Sequence, residues 1–164
     1  MESTKLKGVL GILRISMGFI FLWAFFDKLL GLGYATTPEK SWLAGGSPTS
    51  GFLQFGVHGP FADFYHSLVG NGMVDWLFML GLLGVGLSLA FGIFMKLGGM
   101  SGVMMMLLMY LAVGIQPANN PLIDDHIIYL LVIMVLVMTD SGTYIGLGNR
   151  WKYSRLVQKY KILR

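Results

Sequence analysis

Apolar residues along this chain fall into four long blocks, separated by short breaks rich in glycine, proline or charge. The first block runs from Gly8 to Leu30 and ends at Gly31-Leu32-Gly33-Tyr34. A bilayer core about 30 Å thick takes roughly 20 apolar helical residues to cross. The spacing predicts membrane-spanning helices over 8–30, 74–94, 98–115 and 125–140. Met95-Lys96-Leu97 reads as a tight turn, which makes the second and third helices antiparallel neighbours. Gly84, Ser88 and Gly92 recur every four residues, as do Gly98 and Gly102, and such small-residue ridges let helices approach closely. The methionine-rich run from Met104 to Tyr110 reads as adaptable apolar packing.

Residues 35–73 break this pattern. Their density of Gly and Pro excludes one long helix, yet Trp42, Phe52, Phe55, Phe61, Phe64 and Tyr65 are too apolar for a plain hydrophilic loop. Two short helices are predicted there, over about 49–55 and 61–69, lying at the membrane surface or folded over the bundle. Asp63 falls near the start of the second, where the helix dipole favours an acid. Residues 116–125 read as a turn, and Asp124 and Asp125 suit the N-terminus of the last helix. The tail from 149 to 164 places Trp151, Leu156, Tyr160 and Leu163 on one helical face, as expected for a helix lying along the headgroups.

Composition supports the membrane class. The chain is 55% hydrophobic and 12% charged, against roughly 25% charged in soluble domains. It has no cysteine, which excludes disulfides, thiolate chemistry and Cys-ligated metals. Three histidines without tight spacing give no metal site. The tail carries six basic residues and no acid, a juxtamembrane signature rather than a nucleic-acid site. With the N-terminus inside, four spans leave nine Lys and Arg on the inner side and only Lys40 on the outer. The positive-inside rule then gives an antiparallel four-helix transmembrane bundle with both termini cytoplasmic, in a plasma membrane, closed on its outer face by residues 35–73.

This orientation sorts the intramembrane charges into two layers. Arg14 lies toward the inner side, where a pair with Asp140 or an anion contact is expected. Asp27 and Lys28 lie at the outer end, with Asp124, Asp125 and His126 at the start of the last helix. An imidazole beside carboxylates relays protons near neutral pH. Quinone reduction takes up two protons, so this cluster suits quinone chemistry. His126, Asp124 and Asp125 are the candidate proton relay. Lys28, Asp27 and Arg14 are the candidate polar contacts to a quinone, and Trp23, Trp42 and Tyr129 the aromatics to flank its ring.

Leu13–Leu29 (LRISMGFIFLWAFFDKL), Gly59–Phe64 (GPFADF), Gly81–Gly99 and Asp125–Leu136 together resemble the DoxX/DoxD group of membrane proteins. The likeness is greatest to the DoxD-type small subunit of thiosulfate:quinone oxidoreductase, with Arg14, Gly18, Lys28 and Gly59-Pro60-Phe61 matching the pattern. The resemblance implies a four-helix fold and a part in sulfur or respiratory redox chemistry. The expectation is a membrane subunit of a quinone-linked oxidoreductase that passes electrons from thiosulfate, or another small reduced sulfur compound, to a quinone. A second membrane or outer-face subunit and self-association are the expected protein partners, beside the lipid bilayer. The alternative expectation is a non-catalytic scaffold that assembles or anchors partner proteins.

Overall fold

The computed structural model describes residues 2–114 and 122–163, Glu2 by its backbone alone. Of the turn expected at 116–125, residues 116–121 lie outside the described residues. Among the described residues eight α-helices follow in order: α1 (Glu2–Leu30), α2 (Ser50–Phe55), α3 (Ala62–His66), α4 (Gly72–Phe91), α5 (Met95–Val113), α6 (Asp125–Met138), α7 (Gly148–Lys152) and α8 (Arg155–Lys159). No strand occurs among the described residues. Helices α1, α4 and α5 are long and apolar enough to cross a membrane, while α6 is apolar but only 14 residues long. At 1.5 Å per residue α6 reaches about 21 Å, short of the bilayer core.

The four long helices pack in a ring, α1 on α4, α4 on α5, α5 on α6 and α6 back on α1. Met79, Val85, Leu89, Ile133 and Leu136 form the buried centre with Met17 and Phe21. Small residues set the contacts. A Cβ at Gly18 would lie 2.5 Å from the backbone nitrogen of Ala90, so α1 meets α4 backbone to backbone. Gly98 faces the side chain of Ser88, and Gly102 faces Val85 and Ile133. Gly84 borders open space, so the ridge expected at 84, 88 and 92 is an internal contact only in part. The outward faces carry Val9, Ile12, Phe19, Leu77, Leu80 and Met104, an apolar surface suited to lipid.

Several boundaries differ from the sequence expectation. α1 begins at Glu2, because the polar start continues the helix instead of preceding it. α4 begins at Gly72, capped by Asn71, whose side chain accepts a hydrogen bond from the Met73 amide at 3.0 Å. The α4–α5 turn is Gly92–Phe94 and not Met95–Leu97. Gly92 adopts φ +73 there, where a Cβ would meet the Gly142 carbonyl at 2.5 Å. Met95 and Lys96 therefore form the first turn of α5. α6 stops at Met138, earlier than the predicted 140. Thr139 Oγ1 bonds back to the Val135 carbonyl, and Asp140 turns left-handed at φ +56, which ends the helix.

The tail is not one amphipathic helix. It folds back as α7, α8 and a 3₁₀ turn over Lys161–Leu163. The Trp151 indole N–H donates to the Leu163 carbonyl at 2.6 Å, and the final turn packs against α5. Ser154 caps α8 by accepting from the Val157 amide. In the 35–73 segment the expected short helices are present as α2 and α3, with Asp63 in the first turn of α3.

Candidate functional site

Arg14 is fully buried on α1. Nε donates to the Ser141 carbonyl at 3.2 Å, and Nη2 donates to Tyr144 and Ile145 at 3.0 and 2.9 Å. Nη1 donates to the carbonyls of Leu89 and of Ala90, the latter at 3.1 Å. A guanidinium has five N–H groups, and here they meet five carbonyls. Two of these belong to the last turn of α4, where carbonyls lack helical partners and the dipole favours a cation. The other three line the return loop after α6. Glycine makes room for the cation, since a Cβ at Gly92 or Gly146 would lie 3.0 or 2.7 Å from its terminal nitrogens. The Asp140 carboxylate, the expected partner of Arg14, forms an ion pair with Lys152 at 3.6 Å. Arg14 thus sits inside a backbone cage and not against a ligand surface.

Asp27 is also taken up by the fold. It is almost fully buried, and its two oxygens accept from the Tyr34 amide at 3.2 Å and the Ala35 amide at 3.0 Å. The chain leaving α1 is thereby turned back over the helix end. The Trp42 and Leu43 amides then bond to the carbonyls of Lys28 and Leu29, which the helix terminus leaves free. Asp75, on α4, does the same for the next stretch. Its Oδ1 accepts from the Ser47 hydroxyl, the Thr49 amide and the Thr49 hydroxyl at 2.8, 3.2 and 2.6 Å. This organising role has no signal in the local sequence. Its partners lie 26 to 28 residues away, so no local pattern marks them.

The remaining ionisable groups at the end of the bundle where α6 begins keep free valences among the described residues. Asp124 caps α6, with Oδ1 accepting from the Ile127 amide at 3.1 Å. Its Oδ2 lies 2.6 Å from His126 Nδ1. Both side chains are partly buried. With the Nδ1 proton donated to the carboxylate, Nε2 carries the lone pair, and it has no hydrogen-bond partner among the described residues. Asp125 is exposed beside this pair. Lys28 is half-buried and forms no ion pair among the described residues, because the neighbouring Asp27 faces the loop amides. Tyr129 follows His126 by three residues, close to one helical face. Tyr129 and Trp42 pack against the same core cluster, and Trp42 meets Trp76 edge-on at 4.6 Å. Trp23 lies on the surface of α1, stacked on Phe19 and edge-on to Tyr34 at 5.1 Å.

The expected site residues therefore divide. Asp124 and His126 are brought together, Trp42 is tied through its amide to Lys28, and Trp23 is joined to the loop that Asp27 holds. No hydrogen bond or ion pair links the His126–Asp124 pair to Lys28 or Asp27 among the described residues. Around the site, Tyr65 on α3 donates to the Leu108 carbonyl of α5 at 2.8 Å, and burial pushes its hydroxyl pKa up. At the surface, Glu39 is held below the usual glutamate range by hydrogen bonds from its own backbone amide and the Thr37 side chain. No group of three metal-ligating side chains occurs among the described residues. Comparison with protein-family models, curated proteins and solved structures found no match to this chain.

Proposed function

We propose that this protein is the membrane subunit of a quinone-linked oxidoreductase, with His126 and Asp124 handling protons near the outer ends of α1 and α6. The observation that carries the reading is the 2.6 Å contact between His126 Nδ1 and Asp124 Oδ2, with Nε2 unpartnered among the described residues. Most other buried charge is committed to the fold. Among the described residues, this pair and Lys28, which forms no ion pair, are available for chemistry.

The donor set suits a quinone. Lys28 would hold a quinone oxygen, and Trp42, Tyr129 and Trp23 would flank the ring. A quinone supplies a two-electron acceptor whose oxygens gain two protons on reduction. His126 would deliver a proton from Nε2 while Asp124 stabilises the imidazolium, and Asp125 would connect the pair to solvent. Resemblance to the DoxD-type subunit points to thiosulfate or another small reduced sulfur compound as electron donor. Two thiosulfates each lose one electron as their sulfurs join, which matches the two electrons a quinone accepts. In this reading a second subunit on the outer face would bind the thiosulfate, and this chain would bind the quinone. In this arrangement both termini are cytoplasmic and α6 is the fourth span.

The test is quinone reduction by the complex purified from its own membrane, supplied with thiosulfate and a soluble quinone analogue. Reduction that falls at least about a hundredfold in His126→Gln, the low end of what a positioned acid–base group contributes, supports the reading. No quinone-dependent oxidation in the wild-type complex overturns it.

A second reading, a non-catalytic scaffold, is favoured by the outer segment. Asp27 and Asp75 fix that segment as a platform whose Leu43, Phe55 and Phe64 side chains stay exposed. On that reading His126→Gln changes nothing, while deleting residues 47–66 abolishes co-purification of partners.

A further inference from the structure

The folded tail carries positive charge that the chain does not balance. Residues 141–163 contain no acid. Lys152 is half-buried and pairs with Asp140 at 3.6 Å. Arg150, Arg155, Lys159 and Lys161 are exposed, and none forms an ion pair among the described residues.

Apolar side chains are interleaved with these cations. On α8, Arg155 and Lys159 stand one turn apart on one face, with Leu156 beside them and exposed. Val157 falls on the opposite face and is buried. After α8 the order is Lys159, Tyr160, Lys161, Ile162, all exposed, with the Lys159 ammonium 5.3 Å from the centre of the Tyr160 ring. The tail thus buries one apolar residue to hold its place and leaves others outward among the charges.

This surface is tied to a helix long and apolar enough to cross a membrane. Trp151 packs on Phe94, the residue before α5, with ring centroids 4.3 Å apart. Its indole N–H donates to the Leu163 carbonyl, and the turn over Lys161–Leu163 packs against α5. The cations are therefore held beside the start of a span, where headgroups lie.

We propose that residues 150–162 dock on the anionic headgroups of the bilayer that holds the bundle. Arg150, Arg155, Lys159 and Lys161 meet lipid phosphates, while Leu156, Tyr160 and Ile162 enter between the headgroups. A soluble polyanion such as RNA would take the charges and leave the apolar residues in water. A zwitterionic surface would take the apolar residues and leave four cations uncompensated. The surface follows the last long helix, whereas the His126–Asp124 pair stands at its start, and it does not depend on the quinone reading.

The test is hydrogen exchange of the full chain in nanodiscs of phosphatidylcholine with and without phosphatidylglycerol. Phosphatidylglycerol is expected to slow exchange through residues 150–162, with no change in α4 and α5, and high salt to reverse the slowing. Arg155→Gln with Lys159→Gln and Lys161→Gln loses the slowing, since three surface charges account for about a hundredfold in attachment. Slow exchange in α4 and α5 shows that this variant is folded. Lys40→Gln, which removes a cation from the outer segment, leaves the slowing intact. Equal exchange in both nanodiscs, slowing that persists in the triple variant, or a short RNA that protects residues 150–162 more strongly than phosphatidylglycerol would each overturn the proposal.

Discussion

Arg14 Nε donates to the Ser141 carbonyl at 3.2 Å across 127 residues of sequence. This bond joins the first long helix to the loop that returns after the last one. The other four guanidinium bonds extend it to the end of α4 and to Tyr144 and Ile145. One side chain thereby closes the end of the ring where α4 and α6 finish. Arg14→Ala leaves five carbonyls without their donor and costs upwards of about 3 kcal/mol, the scale for breaking a buried charged interaction. Arg14→Lys supplies at most three N–H groups and falls between. Thermal unfolding in detergent reads the order wild type, Lys, Ala. Ser141→Ala gives the opposite sign, because the Ser141 hydroxyl is buried without a partner among the described residues.

Close approach of α1 and α4 gives a steric prediction. Gly18→Val would drive its side chain into the backbone of Ala90, where even a Cβ would stand 2.5 Å from nitrogen and 2.9 Å from Cα. Backbone cannot yield as a side chain tip does, so destabilisation of at least about 1–3 kcal/mol is expected. Gly8→Val on the same helix, with nothing within 4 Å, should leave the unfolding midpoint unchanged or slightly raised.

Asp75→Ala should loosen the outer segment without unfolding the bundle. Three hydrogen bonds to Ser47 and Thr49 are lost, while the apolar core of α4 is untouched. Hydrogen exchange is expected to accelerate through residues 47–55 and to stay slow in α4 and α5. Equal acceleration everywhere would show that Asp75 supports the bundle itself.

The tie between α3 and α5 is sensitive to alkali. Burial raises the Tyr65 pKa above its ordinary value of 10.0. A raised pKa means that the folded state holds this proton more tightly than the unfolded chain. The associated stability is full below pH 10 and declines as pH rises through the folded-state value. Tyr65→Phe removes both the bond to Leu108 and this part of the pH dependence. Proteolysis of the outer segment between pH 8 and 11 should rise with pH in the wild type and be flatter in the variant.

Apolar runs and helix termini were readable because their signals are local. The sequence alone placed α1, α4, α5 and α6 to within a few residues, and Asp124 as a cap followed from its position before DHIIYLL. The α4–α5 turn was misplaced because Lys96 looks like a loop residue, whereas the chain direction is set by Gly92 and Phe94 in left-handed conformations. The partners of Arg14 were not readable, since any residue supplies a backbone carbonyl and nothing in residues 141–145 marks them as acceptors. The tail misled by its periodicity: Trp151, Leu156, Tyr160 and Leu163 suggest one helical face, yet a bond from Trp151 to Leu163 requires the chain to fold back. Of the outer site, His126 with Asp124 was visible as a pair two residues apart. That Asp27 faces the Tyr34 and Ala35 amides, leaving Lys28 without an ion pair among the described residues, emerged only from the fold.

Quinone binding by the purified full chain is the most direct measurement of the proposed function. Trp42 and Trp23 are candidate ring contacts, and indole fluorescence reports a quinone nearby by quenching. Titration with a soluble quinone analogue should give saturable quenching that weakens in Lys28→Ala and persists in His126→Gln, whose defect lies in proton transfer. Quenching that never saturates, together with no quinone extracted from protein purified out of quinone-containing membranes, would contradict it.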